Sequence, residues 1–203
     1  MQNELSTKFL IAKSCLATAI KSDQLVNFKR FSLADFNKHR TEKTIDFEIY
    51  TSDFGEIIIA SVEDSICYLH FIENDEEAIL KFESFFPECN WKRTSTEIHR
   101  KILKFINTSQ IDVPINLLVK GTDFQVEIWK GLTAIGYGQL TNYSELSLYL
   151  EKPGASRAVG SAIGMNEIAY LIPCHRVIQK TGKLSGFRWG IDLKQKLLQN
   201  ELL

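Results

Sequence analysis

Between Ile45 and Lys120 apolar and polar residues alternate in short runs. Residues 47–51, 56–60 and 66–72 are rich in Phe, Ile, Tyr and Leu, and they are separated by Asp53-Phe54-Gly55 and Glu63-Asp64-Ser65. Such runs, joined by short polar turns, predict three strands of an antiparallel meander. Two helices are expected next, over about 74–85 and about 94–107. The apolar residues after Pro114 predict one more extended piece.

From Gly121 onward the period changes to that of helices. Thr122-Asp123-Phe124-Gln125 is a capping box, in which Thr opens a helix and Gln answers three residues on. Phe124, Ile128, Leu132 and Ile135 then share one face, and Gly136 and Gly138 end the run. Asn142-Tyr143-Ser144-Glu145 is a second box, with Leu146, Tyr149 and Leu150 as the apolar face behind it. Pro153-Gly154 breaks the chain. A third helix, over 155–164, is made almost wholly of Ala, Ser, Gly and Val, with Arg157 among them. Short helix, tight turn, short helix is the layout of a helix-turn-helix, although paired short helices more often serve only packing.

Residues 1–44 are polar and show one periodic stretch. Phe9, Lys13, Leu16 and Ile20 fall on one helical face, and the run ends Ala17-Thr18-Ala19 like a secretory leader. Lys13 interrupts the apolar core, which favours a short amphipathic helix over a leader. The expected organisation is an N-terminal extension over 1–44, a small antiparallel sheet domain with helices over 45–118, and a mostly helical domain over 119–203. The fold class is α+β.

Composition narrows the options. Hydrophobic residues make up 44% and charged residues 24% of 203, the balance of a globular protein. No apolar run approaches the ~20 residues needed to span a bilayer. The net charge of −1 does not advertise a nucleic-acid binder. It is uneven, however: 121–203 hold nine Lys/Arg against seven Asp/Glu, while 1–120 hold fifteen against eighteen. Any DNA contact must therefore rest on shape and a few placed residues.

The four cysteines, Cys15, Cys67, Cys89 and Cys174, include no C-x-x-C pair. That argues against a zinc site or a redox dithiol and for reduced thiols in an intracellular chain. Ile172-Pro173-Cys174-His175-Arg176-Val177-Ile178 is the informative segment. A cysteine becomes a nucleophile when a neighbour takes its proton or stabilises its thiolate, and an adjacent histidine held by a carboxylate can do so. Taken alone a Cys-His pair is more often structural, and adjacent residues chelate a metal poorly.

The wider context resembles the O6-alkylguanine-DNA alkyltransferase family, in its adaptive-response (Ada-type) version. Gly121–Gln125 with Trp129 looks like the family's opening helix. Tyr143 matches the first helix of its helix-turn-helix, and Arg157-Ala158-Val159-Gly160 its recognition helix. Asn166 falls at its hinge, Leu184–Gly190 at its pocket loop, and Lys194, Leu197, Leu198 and Glu201 at its terminal helix. Residues 46–120 resemble its N-terminal domain more loosely. The resemblance implies a ribonuclease-H-like sheet domain followed by a winged helix-turn-helix-like domain. The implied partner is double-stranded DNA carrying an alkylated guanine, bound by a monomer through the minor groove with little sequence specificity. No membrane, cofactor or metal is implied.

The implied reaction moves the alkyl group irreversibly to Cys174, once per molecule. His175 takes the thiol proton through a water, Glu201 orients His175, Asn166 holds the turn, and Tyr143 protonates the departing guanine. Ala155, Ser156, Arg157, Ala158 and Gly160, with Tyr143, meet the DNA, and Arg157 fills the stack once the base has left. That departure is required because the alkylated oxygen is out of a thiol's reach inside a duplex. Ile163, Leu184, Phe187, Arg188 and Trp189 are expected to line the pocket.

Three departures stand out against the resemblance. Gly136 replaces a common proline and is expected to loosen its turn. Glu167 follows Asn166 where proline is frequent, bringing a negative charge near the turn. Phe187 stands where tyrosine is common. The competing readings are an alkyltransferase-like lesion binder, which lacks the cysteine; a Cys-His-Glu hydrolase, which would turn over; and a transcription regulator, for which 1–44 are too short.

Overall fold

The computed structural model of the chain describes residues 26–31, 43–110 and 114–202. The helix expected over 9–20 lies outside them, as does Cys15. Two compact units are present: Leu25–Thr122 with Glu167–Ala169, and Asp123–Asn166 with Tyr170–Leu203.

The first unit is built on one sheet. Its elements are β1 (Val26–Phe31), β2 (Thr44–Ser52), β3 (Gly55–Val62), β4 (Ser65–Phe71), α1 (Asp75–Phe85), β5 (Asn90–Arg93), α2 (Glu97–Thr108) and β6 (Ile115–Lys120). The strands lie in the order β1-β6-β4-β3-β2-β5. Strands β2, β3 and β4 form the antiparallel meander read from the sequence, with Tyr50 opposite Ile57 and Ile58 opposite His70. Its first turn closes through Ser52, whose hydroxyl donates to the Gly55 carbonyl at 2.7 Å, while Gly55 takes a φ of 123° that a side chain would resist.

The sheet as a whole is mixed, which corrects the expectation of a small antiparallel one. β1 pairs with β6, β6 with β4, and β5 with β2, all in parallel. The cause is the crossover: a strand reached through a helix returns in the same sense as the one it left, and α1 and α2 provide such connections. A second correction concerns 1–44, since residues 26–31 are a paired strand of the sheet. Residues 167–169 also join this unit. Leu69 donates to the Glu167 carbonyl at 3.0 Å and Ala169 to the Leu69 carbonyl at 2.8 Å.

Both helices start where a side chain can accept orphan backbone N–H groups. Asn74 caps α1 by accepting from the Glu77 N–H at 2.9 Å, and Asp75, Glu76 and Glu77 suit the positive end of the dipole. Thr96 caps α2 by accepting from the His99 N–H. The helix therefore begins at Glu97 and not near 94, because Thr94 is still extended and donates to the Phe47 carbonyl at 2.8 Å. Strand β3 is covered on both sides, with Ile57, Ile58 and Ile59 all inaccessible. On one face Phe47, Tyr68, Phe82 and Phe86 make an aromatic cluster with ring centroids 4.8–6.0 Å apart.

The second unit is mostly helical. It contains α3 (Asp123–Thr133), β7 (Thr141–Asn142), α4 (Tyr143–Tyr149), α5 (Ser156–Gly164), a 3-10 turn at Cys174–Arg176, β8 (Val177–Ile178) and α6 (Ile191–Leu202). Asn142 caps α4, its side-chain oxygen accepting from Ser144 and Glu145 at 3.0 Å each. The two-residue ladder between β7 and β8 brings the start of α4 beside the chain that leaves the Cys174 turn. Trp129 ties α3 to α5 by donating its indole N–H to the Ala162 carbonyl at 2.9 Å. The turn around Gly136 is closed, not loose: Gly136 N–H donates to Gln139 Oε1 and Gln139 N–H donates back to the Gly136 carbonyl.

Phe82 is completely buried at the centre of the aromatic cluster. Truncation there removes both transfer energy and packing partners. Phe82→Ala is expected to lower unfolding stability by about 3–5 kcal/mol, read from the shift in urea midpoint at constant slope. A loss below about 1 kcal/mol would show that this cluster does not organise the sheet unit.

Candidate active site

The site lies within the helical unit and is assembled by a turn. After α5 the chain passes through Asn166, leaves to pair with β4, and returns at Tyr170, which holds a left-handed φ of 63°. Pro173 then leads into the 3-10 turn, closed by the Cys174 N–H donating to the Ile172 carbonyl at 2.7 Å and the Arg176 N–H to the Pro173 carbonyl at 3.0 Å. Asn166 pins this turn from inside. Its buried amide donates to the Ile172 carbonyl at 3.1 Å and reaches Cys174 Sγ at 3.5 Å.

Cys174 opens on a pocket of about 470 Å³. Tyr143, Gly160, Ile163, Gly164, Asn166, Gly186, Phe187, Arg188 and Trp189 complete its wall. Each contact there has a local cause. The Tyr143 ring lies along Gly160, where a β-carbon would stand 3.5 Å from it. Gly186 takes a φ of 52°, and a β-carbon there would stand 3.4 Å from the Tyr143 hydroxyl. Phe187 and Trp189 meet edge to face at 5.2 Å. Arg188 reaches across to the end of α5, donating to the Gly164 carbonyl at 2.8 and 3.2 Å.

His175 and Glu201 lie behind the thiol. Both side chains are buried, and His175 Nε2 donates to Glu201 Oε1 at 2.7 Å. Nδ1 of the same ring is buried with no hydrogen-bond partner among the described residues. Arg176 grips the carboxylate from the other side, Nε to Oε2 at 2.9 Å and a terminal nitrogen to Oε1 at 3.0 Å, while its second terminal nitrogen donates to the Ile135 carbonyl. The Gly138 N–H adds a longer contact at 3.3 Å. The His175 ring stacks on Tyr170 at 5.9 Å.

The protonation states follow from these surroundings. Burial alone would raise the Glu201 pKa, but the bonds and charges of His175 and Arg176 outweigh it and hold the group down at about 2. Burial pushes His175 below its ordinary value, against the pull of Glu201, so the ring is neutral at pH 7. With Nε2–H committed to the carboxylate, Nδ1 carries the free lone pair. Burial also pushes the Cys174 thiol up, opposed by the Asn166 bond and the charge of Lys194. Tyr143 is likewise raised by burial, so its hydroxyl keeps its proton, and it bonds to Ser185. A neutral thiol beside a neutral imidazole, backed by a carboxylate, can form a thiolate when the proton is drawn off.

The family described as "6-O-methylguanine DNA methyltransferase, DNA binding domain" matches residues 123–203. A methylated-DNA–protein-cysteine methyltransferase of Methanosarcina barkeri is 34% identical over 158 residues, covering 76% of this chain and 96% of that one. The chain belongs to this methyltransferase family. The regulatory protein Ada of Salmonella typhimurium is 32% identical over 169 residues, but the chain spans only 48% of its length. Among solved structures, the Mycobacterium tuberculosis OGT in complex with DNA aligns with a TM-score of 0.66 at 30% identity, covering 77% of this chain and 92% of that one.

Most residues singled out from the sequence of this family member meet at the pocket: Cys174, Asn166, Tyr143, Gly160, Ile163, Phe187, Arg188 and Trp189, with His175 and Glu201 behind. Leu184 does not. It packs against Leu140, Ile178 and Leu198, because the loop turns its apolar residue into the core before reaching the pocket. Ala155, Ser156, Arg157 and Ala158 lie at the start of α5 outside the pocket wall, with Arg157 and Ala158 exposed. Glu167 is not a loose charge near the turn, since its carboxylate is mostly buried and meets His70 Nε2 at 2.7 Å.

Two residues were named from the sequence without the surroundings the structure gives them. Arg176 carries the second half of the Glu201 clamp. Lys194 is fully buried. A signal existed for the second: Lys194, Leu197, Leu198 and Glu201 stand at i, i+3, i+4 and i+7, which puts both charged residues on the buried stripe of α6.

The clamp has a measurable pH signature. A carboxyl held near 2 in the folded state against an ordinary 4.5 stabilises the fold above 4.5 and loses that contribution as pH falls from 4.5 towards 2. The stability difference between wild type and Glu201→Gln should therefore be constant near neutral pH and shrink across that window. A difference that stays flat down to pH 2 contradicts the buried clamp.

Proposed function

We propose that the chain repairs DNA by direct damage reversal, moving a methyl or other alkyl group from O6-alkylguanine to Cys174 in a single, irreversible event. The observation that carries this reading is the buried Cys174 in the pocket, with Asn166 on its sulfur and the His175–Glu201 pair behind it. Relatives named methylated-DNA–protein-cysteine methyltransferase support it.

In the proposed step the thiol proton passes to His175 Nδ1 through one water. The sulfur attacks the alkyl carbon, the carbon–oxygen bond breaks, and its electron pair leaves with the guanine. Tyr143, whose hydroxyl stays protonated, gives the ring a proton. The imidazolium that forms is balanced by Glu201. The product is a thioether, which nothing in the site can hydrolyse, so each molecule acts once. O4-alkylthymine is the second substrate class for the same step.

The second unit is read as the winged helix-turn-helix-like domain and the first as the ribonuclease-H-like one. Helix α5 presents Ala155, Ser156, Arg157, Ala158 and Gly160. Side chains this small let a helix backbone approach a minor groove without reading sequence. Arg157 is exposed at the start of α5 and is assigned the role of filling the stack after the base leaves. The protein acts as a monomer, without cofactor, in the cytoplasm of a bacterial-type cell or wherever the DNA is. A lesion-binding relative without transfer is disfavoured because the thiol is present.

Incubation with a duplex containing methylguanine should add one methyl group, mapped to Cys174, at one equivalent per protein. Cys174→Ala should lose transfer and keep DNA binding. Methyl removal by that variant would mean another acceptor and overturn the assignment.

The pocket should prefer small groups. Trp189 and Phe187 occupy its wall edge to face, and packed aromatic rings yield little space. Free benzylguanine should alkylate Cys174 at least tenfold more slowly than methylguanine DNA does, and Trp189→Ala should recover the benzyl rate. A slow benzyl rate left unchanged by Trp189→Ala removes the steric account.

A further inference from the structure

The turn between α3 and β7 bears on the Glu201 site from its outer side. The Ile135 carbonyl accepts from a terminal nitrogen of Arg176 at 2.5 Å. The Tyr137 ring lies against the same guanidinium, with its centroid 5.8 Å from Cζ. The Tyr137 hydroxyl donates to the Asn200 carbonyl at 3.1 Å and accepts from the Asn200 amide at 3.3 Å. The Gly138 N–H reaches Glu201 Oε2 at 3.3 Å. A β-carbon on Gly138, whose φ is 71°, would stand 3.0 Å from the Glu201 carbonyl oxygen, so a side chain there would push the turn off the chain end.

Burial does not explain Tyr137. It is 46% exposed, and a ring left half in water gains little from the hydrophobic effect. What it meets is a cation over its face, within the range at which the ring quadrupole attracts a guanidinium. Arg176, by contrast, leaves only 11% of its side chain accessible, and its partner Glu201 only 1%. The exposed ring therefore borders a guanidinium that is nearly out of water. Arg176 and Glu201 in turn govern His175. Burial holds that ring below its ordinary value, Glu201 on α6 pulls it up, and Arg176 on its own turn and Lys194 on α6 push it down.

We infer that Tyr137 is a positioning residue of the transfer reaction: its turn straps the end of α6 to the Cys174 turn, and its ring keeps water from the Arg176–Glu201 pair, so that the carboxylate holds His175 with the Nδ1 lone pair free. The inference rests on Cys174 being the alkyl acceptor, and its test is separable from that reading. Without the ring, water reaches the guanidinium and screens its charge. The imidazole loses part of its burial and part of the opposing charge of Arg176, and both changes raise its midpoint. Screening of Glu201 acts the other way, but the direct bond from Nε2 at 2.7 Å remains. A ring that gains a proton more readily is less able to take one from the thiol in mildly acid solution.

The test compares Tyr137→Ala, which removes the ring, with Tyr137→Phe, which keeps the ring and drops the hydroxyl. The His175 midpoint is read without DNA from its ring proton resonances, assigned by their loss in His175→Gln. Tyr137→Ala should raise it by about half a unit, a threefold change in the ratio of neutral to protonated ring, and Tyr137→Phe should leave it in place. In single-turnover methyl transfer at saturating DNA, the acid limb of the rate should move up by the same amount in Tyr137→Ala alone, with DNA affinity unchanged. An unmoved His175 midpoint in Tyr137→Ala, or equal shifts in the two variants, overturns the inference. So does a raised midpoint with an unmoved acid limb. If Tyr137→Ala does not melt cooperatively, the wild type decides through hydrogen exchange at Arg176 Nε: protection relative to the exposed Arg157 is expected, and exchange at the Arg157 rate overturns the shielding. Failure of the wild type to accept methyl from DNA would instead sink the proposed function, with the His175 titration still reporting on Tyr137.

Discussion

The site depends on one buried carboxylate. Glu201 stands in the last turn of α6, where chain ends are ordinarily frayed and hydrated. A bare carboxylate could not be buried there, since the desolvation cost would protonate it or expel it. It stays ionised because donors take both of its oxygens: His175 and Arg176 on Oε1, Arg176 and Gly138 on Oε2. Leu197 and Leu198, both inaccessible, hold the helix that carries it. The same carboxylate fixes the His175 ring, and His175 and Arg176 belong to the Cys174 turn. Anchoring the chain end and aiming the imidazole are therefore one interaction. Removing Glu201 would leave a buried guanidinium and a ring free to change tautomer.

What was legible in the sequence follows from the range of the forces involved. The β2–β4 meander and the Asn142 cap are local, and their patterns of alternation and capping are written in adjacent residues. Strands β1 and β5 are short. Each exists because a neighbouring strand, β6 for β1 and β2 for β5, has unpaired backbone groups to offer, which no local pattern records. The parallel sense of β5 and β6 is set by the crossovers through α1 and α2. The nucleophile was legible because Cys174, His175 and Asn166 stand in one recognisable arrangement. The partners of Arg176 and Lys194 were not, since a charge reveals its purpose only when its partner is known. Leu184 misled because neighbours in a tight loop point opposite ways, and Phe187 reaches the pocket while Leu184 enters the core.

The directions of the site's shifts are at first sight wrong for a nucleophile. Burial raises the thiol and lowers the imidazole, so the resting pair is neutral. Many reactive cysteines are instead held as thiolates by exposed positive surroundings. For a protein that acts once on the proposed reaction, a standing thiolate would be a liability, because any stray electrophile or oxidant would consume it. The neutral pair stores the nucleophile in its inert form. The ion pair is reached only on proton transfer, and the counter-charge to the imidazolium, Glu201, is already in place. Its bonds to Arg176 and Gly138 are made before any substrate arrives, so little reorganisation is left for the reacting step. A substrate that fills the pocket would expel water and strengthen the fixed charge and dipoles around it.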